Sequence, residues 1–432
     1  RPCCVQQRDC DPMKLQTQRF IDRWAGQLLC GVVSGWVRFT ALFGAPARLG
    51  KAPKNILVIL LSEMGSIVLA GPMFAALRRQ YPGAAIHILQ LKKNQEVSKL
   101  LSLTEVAHMH TLDDSSGSSL IGDILTVSLK MRRLGLDAVI DCELFSRVSA
   151  LLSFSTGAAV RVGFTPHTQE GLYRGSFINH SIPYNPYQHI SKQFLSLVDA
   201  LQSPTSMPRN RAGAIREIPG DPELSVNFTP EELAAYRGQV EADHPVTKTR
   251  QLVLVYAGGG ILPERAWPAS HYVRVVQGLC AAGHAVGLIG LKDDAMLARD
   301  LKAQVGSDGC IDLTGYTKSI RELLMLMHAS SLLITNDGGP SHFATVTPIQ
   351  TMVFFGPETG KLYGPLGKRT IILESGIACS PCLTAYNHRL TFCDGDNQCL
   401  KRIAPDPVLE QALAFLRDNG ADNPQGPTGV VV

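Results

Sequence analysis

The sequence predicts an α/β fold built from two doubly wound parallel sheets that face a cleft. Three observations carry this. Continuous apolar runs such as 55–61 (NILVILL) fit central strands buried on both faces. These runs alternate with helical segments in two successive series. A stretch over 203–250, with Pro204, Pro208, Pro219, Pro222, Pro230 and Pro245, separates the series. The 432 residues exceed one ordinary domain and fit two of about 150–200 residues. With 45% hydrophobic and 18% charged residues, a full core can be buried and global disorder is excluded.

Residues 1–12 (RPCCVQQRDCDP) are polar and do not read as a secretory signal. Met13 reads as a candidate start, with the preceding residues as an upstream extension. From Phe20 to Phe43 the spacing predicts an amphipathic helix, because Phe20, Trp24, Leu28, Val32 and Trp36 recur every four residues. Arg19, Arg23 and Arg38 flank that face. Trp24–Val37 is apolar for 14 residues, short of the roughly 20 that a bilayer span needs. The helix reads either as docked on the protein's own surface or as an interfacial membrane anchor, and its two Trp and basic flanks favour the second.

After a linker at 51–54, the first series reads as strand 55–61, helix 67–80 with Pro72 near its start, strand 85–91 and helix 94–101. Helix 120–134, strand 138–141, helix 146–154, extended 160–164 and helix 189–201 follow. A short helix is expected at 230–242. The second series reads as strand 252–256, helix 269–282, strand 285–291, helix 294–305, strand 311–313 and helix 320–329. Strands at 332–335 and 350–355 and a closing helix at 406–416, N-capped by Asp406, complete it. The Gly/Pro-rich tail from Asp418 is expected to be disordered.

Charge excludes one class of partner. Residues 1–50 hold seven Lys/Arg and three Asp/Glu, leaving 34 of each in the body. A nucleic-acid protein shows a basic stripe on its folded body, whereas membrane-surface binding needs only a basic, apolar end. The eleven cysteines are odd in number and mostly scattered, which points to a cytoplasmic chain.

Ligands of doubly wound sheets bind at the carboxyl ends of strands, so the loops after strands are the candidates. Ser62-Glu63-Met64-Gly65-Ser66 follows the first strand. Gly65 allows a tight turn, Ser66 can face an anion, and Glu63 places a carboxylate at the cleft mouth. Ala257-Gly258-Gly259-Gly260 lets backbone approach a ligand, and Arg265 beyond it can neutralise a phosphate. This segment has neither the Lys-Ser/Thr of a P-loop nor a dinucleotide fingerprint. Asn336-Asp337-Gly338-Gly339-Pro340-Ser341-His342 is a strand–turn–helix. Gly338, Gly339 and Ser341 there present N–H groups to a diphosphate, Asp337 suits sugar hydroxyls or fixes the turn, and His342 reaches the same ligand. Asp141-Cys142-Glu143 also follows a strand, and His189 starts a helix of the first series. Cys379, Cys382, Cys393 and Cys399 read either as a structural zinc site, on the Cys-x2-Cys half, or as thiols pinning a loop. His388 lies inside that cluster.

These motifs resemble glycosyltransferase family 9, the ADP-heptose:lipopolysaccharide heptosyltransferases and relatives. The family carries strand–Asn-Asp-[Ser/Gly]-Gly-Pro-x-His–helix, then a strand ending Phe-Gly-Pro, here Phe355-Gly356-Pro357. NILVILLSEMG (55–65), RVGF (161–164), AGGG…RAWP (257–268) and DLTGYTKSIRELL (312–324) match as well. The resemblance implies a two-domain GT-B fold. Residues 51–225 would bind the acceptor and residues 226–417 the nucleotide sugar, flanked by an N-terminal extension (1–50) and a tail (418–432). It implies inverting transfer with no required cofactor, from a nucleotide-diphosphate sugar, ADP-heptose first, to a lipid-linked lipopolysaccharide-core or related acceptor. It assigns Gly339, Pro340 and His342 to the donor diphosphate, Asp337 to the sugar, and Arg265 to the family's basic residue before Trp-Pro. Thr314 and Gly315 would bound the nucleotide pocket. The better-known heptosyltransferases have Asp directly after the first-loop Gly, as the base; here that position is Ser66, which leaves Glu63 as the candidate. The expected place is the cytoplasmic face of a bacterial inner membrane. A catalytically silent binder of glycan or nucleotide, and a nucleotide-sugar epimerase, are the alternatives.

Overall fold

The structure, a computed structural model, describes residues 12–42, 53–61, 63–114, 117–144, 146–164, 174–202, 224–260, 262–384, 393 and 396–418. Within its helices, the side chains of 12–21, 23, 41 and 117–121 are undescribed. Residues 1–11 and Phe43, the side chains of Met13, Arg19, Phe20 and Arg23, Ser62, His388 and the tail from 419 thus lie outside the described residues.

Two six-stranded parallel sheets form the frame. The first runs β3 (Met109–Leu112), β2 (Ala85–Leu91), β1 (Asn55–Ile59), β4 (Ala138–Asp141), β5 (Val160–Phe164), β6 (His180–Ile182). The second runs β12 (Thr370–Leu373), β11 (Gln350–Phe354), β10 (Leu332–Asn336), β7 (Leu252–Tyr256), β8 (Ala285–Gly290), β9 (Cys310–Thr314). In each, the chain starts at the centre, winds to one edge and returns to wind to the other. The crevice therefore lies at the carboxyl ends of the central strands.

Alternation along β1 explains why both faces are covered. Ile56, Val58 and Leu60 pack with α2 (Met64–Leu69), α3 (Gly71–Gln80) and α7 (Ile190–Ala200). Leu57 and Ile59 pack on the other face with Val127 and Met131 of α5 (Gly117–Arg133) and Leu152 of α6 (Arg147–Ser155). In the second half, α9 (Ala269–Ala281), α10 (Ala295–Val305) and α15 (Pro405–Asp418) cover one face. The core of the first face continues into α8 (Pro230–Asp243), α11 (Ile320–His328) and α12 (Gly339–Ala344), so the two halves share apolar contacts. Glu96 of α4 (Gln95–Leu100) adds a polar one, accepting from the backbone N–H of Ile320 at 2.7 Å. A carboxylate at the start of α11 also complements the helix dipole.

Several expectations shift. The single helix over 67–80 is two, broken at Ala70, because Pro72 lacks the N–H that a continuous helix would use and sits in the first turn of α3. Ser146 and His189 are N-caps, accepting from Ser149 N and Ser191 N, rather than helical residues. The closing helix starts at Pro405 and runs through Asp418, so Asp406 lies in its first turn instead of capping it. Strands β3, β6 and β12 were not foreseen.

Helix α1 spans Pro12–Ala41, starting earlier than the apolar period implied. One face docks: Cys30 and Val33 pack with Ala150 of α6 and with Phe177. Asp22 Oδ1 accepts from the N–H groups of Arg147 and Val148 at 2.9 and 3.0 Å, capping α6, and its other oxygen lies 3.5 Å from the Arg147 guanidinium. Ser34 Oγ accepts from Ser176 N at 2.9 Å. The opposite face, with Leu28, Val32 and Trp36, is exposed. No helix among the described residues is long and apolar enough to cross a membrane.

A buried histidine pair lies between β2 and β3. His87 Nδ1 and His110 Nε2 are 3.2 Å apart, and the His108 ring lies 4.5 Å from that of His87. Burial, with the positive charge of Lys130 and the neighbouring rings, lowers both pKa values from 6.5 to about 4. Between these values the unfolded chain takes up protons before the folded chain does. Stability present above pH 6.5 is therefore lost as the pH falls toward 4. Tm is expected to fall less steeply over this window in a His87→Leu/His110→Leu variant than in the native chain. Parallel curves would put the acid sensitivity elsewhere.

Candidate active site

The turn after β10 is held by one amide. Asn336 is fully buried. Its Oδ1 accepts from Trp267 N and from the Tyr272 hydroxyl, both at 2.9 Å, and its Nδ2 donates to Gly258 O at 3.0 Å. The glycine loop 257–260, the start of α9 and the 336–342 turn are thereby fixed to one another. Trp267 stacks on Phe354 at 4.2 Å and donates its indole N–H to Ile403 O at 3.0 Å, tying the same corner to the C-terminal segment. Gly258 has no room for a side chain, since a Cβ there would sit 2.9 Å from Asp294 Oδ1.

Next to this corner are three buried charges. The Arg265 guanidinium bonds Glu358 Oε2 through Nη2, and its Nε lies 3.5 Å from Asp337 Oδ2. The cation foreseen as a phosphate partner is therefore bracketed by two carboxylates. Asp337, foreseen as the sugar contact, lies in the same cluster, and its backbone N–H goes to Phe354 O. Thr314 and Gly315 end β9, three strands from β10. At about 4.8 Å per strand that is roughly 14 Å along the carboxyl edge. Thr314 donates to Asp312 Oδ1 through both N–H and Oγ1, and Gly315 N donates to Gly290 O.

The first half closes on this edge. A Cβ on Gly65 would stand 2.5 Å from Cδ2 of His342, so only glycine admits the imidazole there. Glu63 is exposed at the mouth of the gap and its charge acts on His342, while Ser66 is half-buried one residue past the contact. Burial dominates: His342 is lowered to about 4 and is neutral at neutral pH, His189 adding to the effect and Glu63 opposing it. Among the described residues, His342 Nδ1 and Arg265 Nε have no hydrogen-bond partner. His189 latches the halves. Its Nε2 donates to Gly364 O at 2.8 Å while its Nδ1 accepts from Ser191 N at 3.3 Å, which fixes a neutral tautomer.

Asp141 is not a cleft residue. It is fully buried against Arg174, and Ser149 Oγ donates to it at 3.0 Å. Burial raises its carboxyl to about 6 against the pull of Arg174. Glu143 accepts from Leu61 N at 2.7 Å, so its carboxylate braces the chain just past β1. Cys379, Cys382, Cys393 and Cys399 form no disulfide among the described residues. Among the described residues no group of three or more His, Cys, Asp or Glu is placed to hold a metal ion. Cys382 N donates to Pro357 O at 2.9 Å, and buried Cys399 packs against Gly356, so the segment rests on the Phe-Gly-Pro loop.

The profile of glycosyltransferase family 9 (heptosyltransferase) matches residues 125–390. The chain belongs to this family. Family 9 membership makes it a glycosyltransferase, and its two parallel sheets are a GT-B fold. It is 22% identical over 375 residues to lipooligosaccharide heptosyltransferase 2 of Haemophilus ducreyi, covering 84% of this chain and 99% of that relative. It is 23% identical over 376 residues to lipopolysaccharide heptosyltransferase 2 of Salmonella typhimurium, covering 85% and 99%. The solved structure of E. coli ADP-heptose lps heptosyltransferase II superposes with a TM-score of 0.63 at 18% identity, over 85% of this chain and 100% of that one.

Of the residues that meet at this edge, the sequence pointed to Glu63, Gly65, Arg265, Asp337 and His342. It missed Asn336 as the organising amide and Glu358 as a partner of Arg265. A buried polar residue at the end of a central strand was the available signal for Asn336, since such a group must find partners. Asn336→Ala leaves the Trp267 N–H and Gly258 O unpaired, while the Tyr272 hydroxyl keeps Tyr256 O at 3.2 Å, and is expected to cost about 2 kcal/mol or more. Urea unfolding of the variant measures it; a loss under about 1 kcal/mol would mean water replaces the amide.

Proposed function

We propose that this glycosyltransferase moves heptose from ADP-heptose to a lipopolysaccharide-core acceptor, with inversion and no metal. The observation that carries this is the facing of the 337–342 turn and the 63–66 loop across a closed gap, in a chain that spans nearly the whole length of relatives named as heptosyltransferases. Residues 226–417 are the donor half and 51–225 the acceptor half. The donor lies along the carboxyl edge of the second sheet, its base by Thr314 and Gly315 and its diphosphate by Gly258, Gly259 and the Gly338–Gly339–Pro340 turn. The sugar lies by Asp337.

The acceptor oxygen attacks the anomeric carbon as the bond to the diphosphate breaks. Glu63 takes the hydroxyl proton. The leaving diphosphate gains negative charge, which Arg265, the neutral His342 N–H and the backbone of the turn stabilise. Arg265 acts here by exchanging one carboxylate for phosphate. Helix α1 rests the enzyme on the inner face of a membrane through Leu28, Val32 and Trp36, which suits an acceptor carried on a lipid.

Transfer from ADP-heptose to a lipid A–core acceptor is the direct test. Tight binding without transfer would sustain a silent binder, and no binding would overturn the donor. Glu63→Gln is expected to slow transfer by about 100-fold or more with donor affinity unchanged, and Ser66→Ala to matter far less. A fully active Glu63→Gln would assign the base elsewhere. Arg265→Ala and His342→Ala are each expected to weaken donor binding by about 1–3 kcal/mol in calorimetric titration. Unchanged affinity in both would remove them from the diphosphate site.

A further inference from the structure

The outer layer on one face of the first sheet is three helices. α6 touches α5 on one side and α1 on the other. Ser155 of α6 bonds Ser128 of α5 at 3.0 Å, and the Arg132 stem approaches Gly157 just past α6. Thus the flank of α5 that carries Leu125 and Arg132 is the one turned toward α6 and α1. The inward residues of α5 are Val127 and Met131, which leaves Leu125 and Leu129 outward, 63% and 60% exposed. On α1 the inward residues are Gly26, Cys30 and Ser34, and Leu28 and Trp36 are 70% and 63% exposed. Both helices thus carry an exposed apolar face beside α6.

Charge on this layer has one sign. From Trp24 to Leu42 the only charged residue is Arg38, which is exposed. On the described part of α5, Lys130, Arg132 and Arg133 are exposed, while its acid, Asp123, accepts from Asp113 N. The one acid at the docked face of α1, Asp22, is spent on α6. Exposed apolar side chains with only cations among them complement an anionic lipid surface.

We propose that α5 is a second membrane-docking element, coplanar with α1, and that Leu125 and Leu129 enter anionic lipid together with the α1 face while Lys130 and Arg133 meet the headgroups. This rests on the reading of α1 as an interfacial helix and extends it from a single anchor to a two-helix plane. Two separated insertion points fix the tilt of the first sheet on the bilayer, which one helix lying in the interface leaves free to roll.

The test is sedimentation of the full chain with vesicles of phosphatidylethanolamine and phosphatidylglycerol, and with vesicles of phosphatidylcholine alone. Leu125→Glu/Leu129→Glu changes exposed positions only, and its Tm should match the native chain. With α1 intact, this variant is expected to bind anionic vesicles about tenfold or more weakly. Lys130→Gln/Arg133→Gln should flatten the salt dependence. Leu28→Ser/Val32→Ser/Trp36→Ser tests α1 separately. If the α5 variant binds like the native chain while the α1 variant does not, the second element is overturned and the α1 anchor stands. If the native chain binds neither vesicle, both fail. If it forms a dimer that both variants dissociate, and ignores vesicles, the face belongs to a second copy.

Discussion

The second half depends on the side-chain amide of Asn336. A single buried group bonds the start and the end of the 257–268 loop and a tyrosine hydroxyl from the helix that follows it. Without it, this loop and the 336–342 turn, which arise more than sixty residues apart, would have no common reference. Each of its bonds is modest against water, but each partner is buried, so the penalty for leaving it unmade is what enforces the geometry. The Trp267–Phe354 stack then extends the fixed corner to β11, and the Arg265 cluster stands on it.

The facing loop is governed by a different constraint, close packing. His342 occupies the volume that a side chain at position 65 would need, and His189 reaches across to Gly364. Both rings are held below their ordinary pKa chiefly by burial. The gap between the halves thus carries its permanent charge on Glu63, Arg265, Asp337 and Glu358 and not on its histidines. A developing anion there meets one cation already engaged by carboxylates, so neutral N–H donors carry a large share of its stabilisation.

Much of this was legible. The apolar run at β1 and the glycine turns after β7 and β10 located both sheets and their carboxyl edges, because buried parallel strands and strand–turn–helix junctions leave strong local patterns. Strands β3, β6 and β12 are three or four residues long and lie at sheet edges, too short for an apolar run or a two-residue period to stand out. Asp141 followed a strand just as Glu63 did, and nothing local said that Arg174, 33 residues on, would bury it. Glu358 and Arg265 are partners across 93 residues. Pairings of that kind are properties of the fold, invisible to spacing along the chain.

The capping of α6 by Asp22 has a mechanical consequence. The N-terminal helix is joined to the first half by hydrogen bonds to two backbone amides and by a packed face, so it cannot swing as a leash would. Any surface that takes hold of it takes hold of the whole sheet. An enzyme held in this way searches a plane instead of a volume, and it presents its cleft at a constant height and heading. Collisions with an acceptor confined to the same plane then begin already partly aligned, and part of the orientational entropy of the encounter is removed before the two molecules touch.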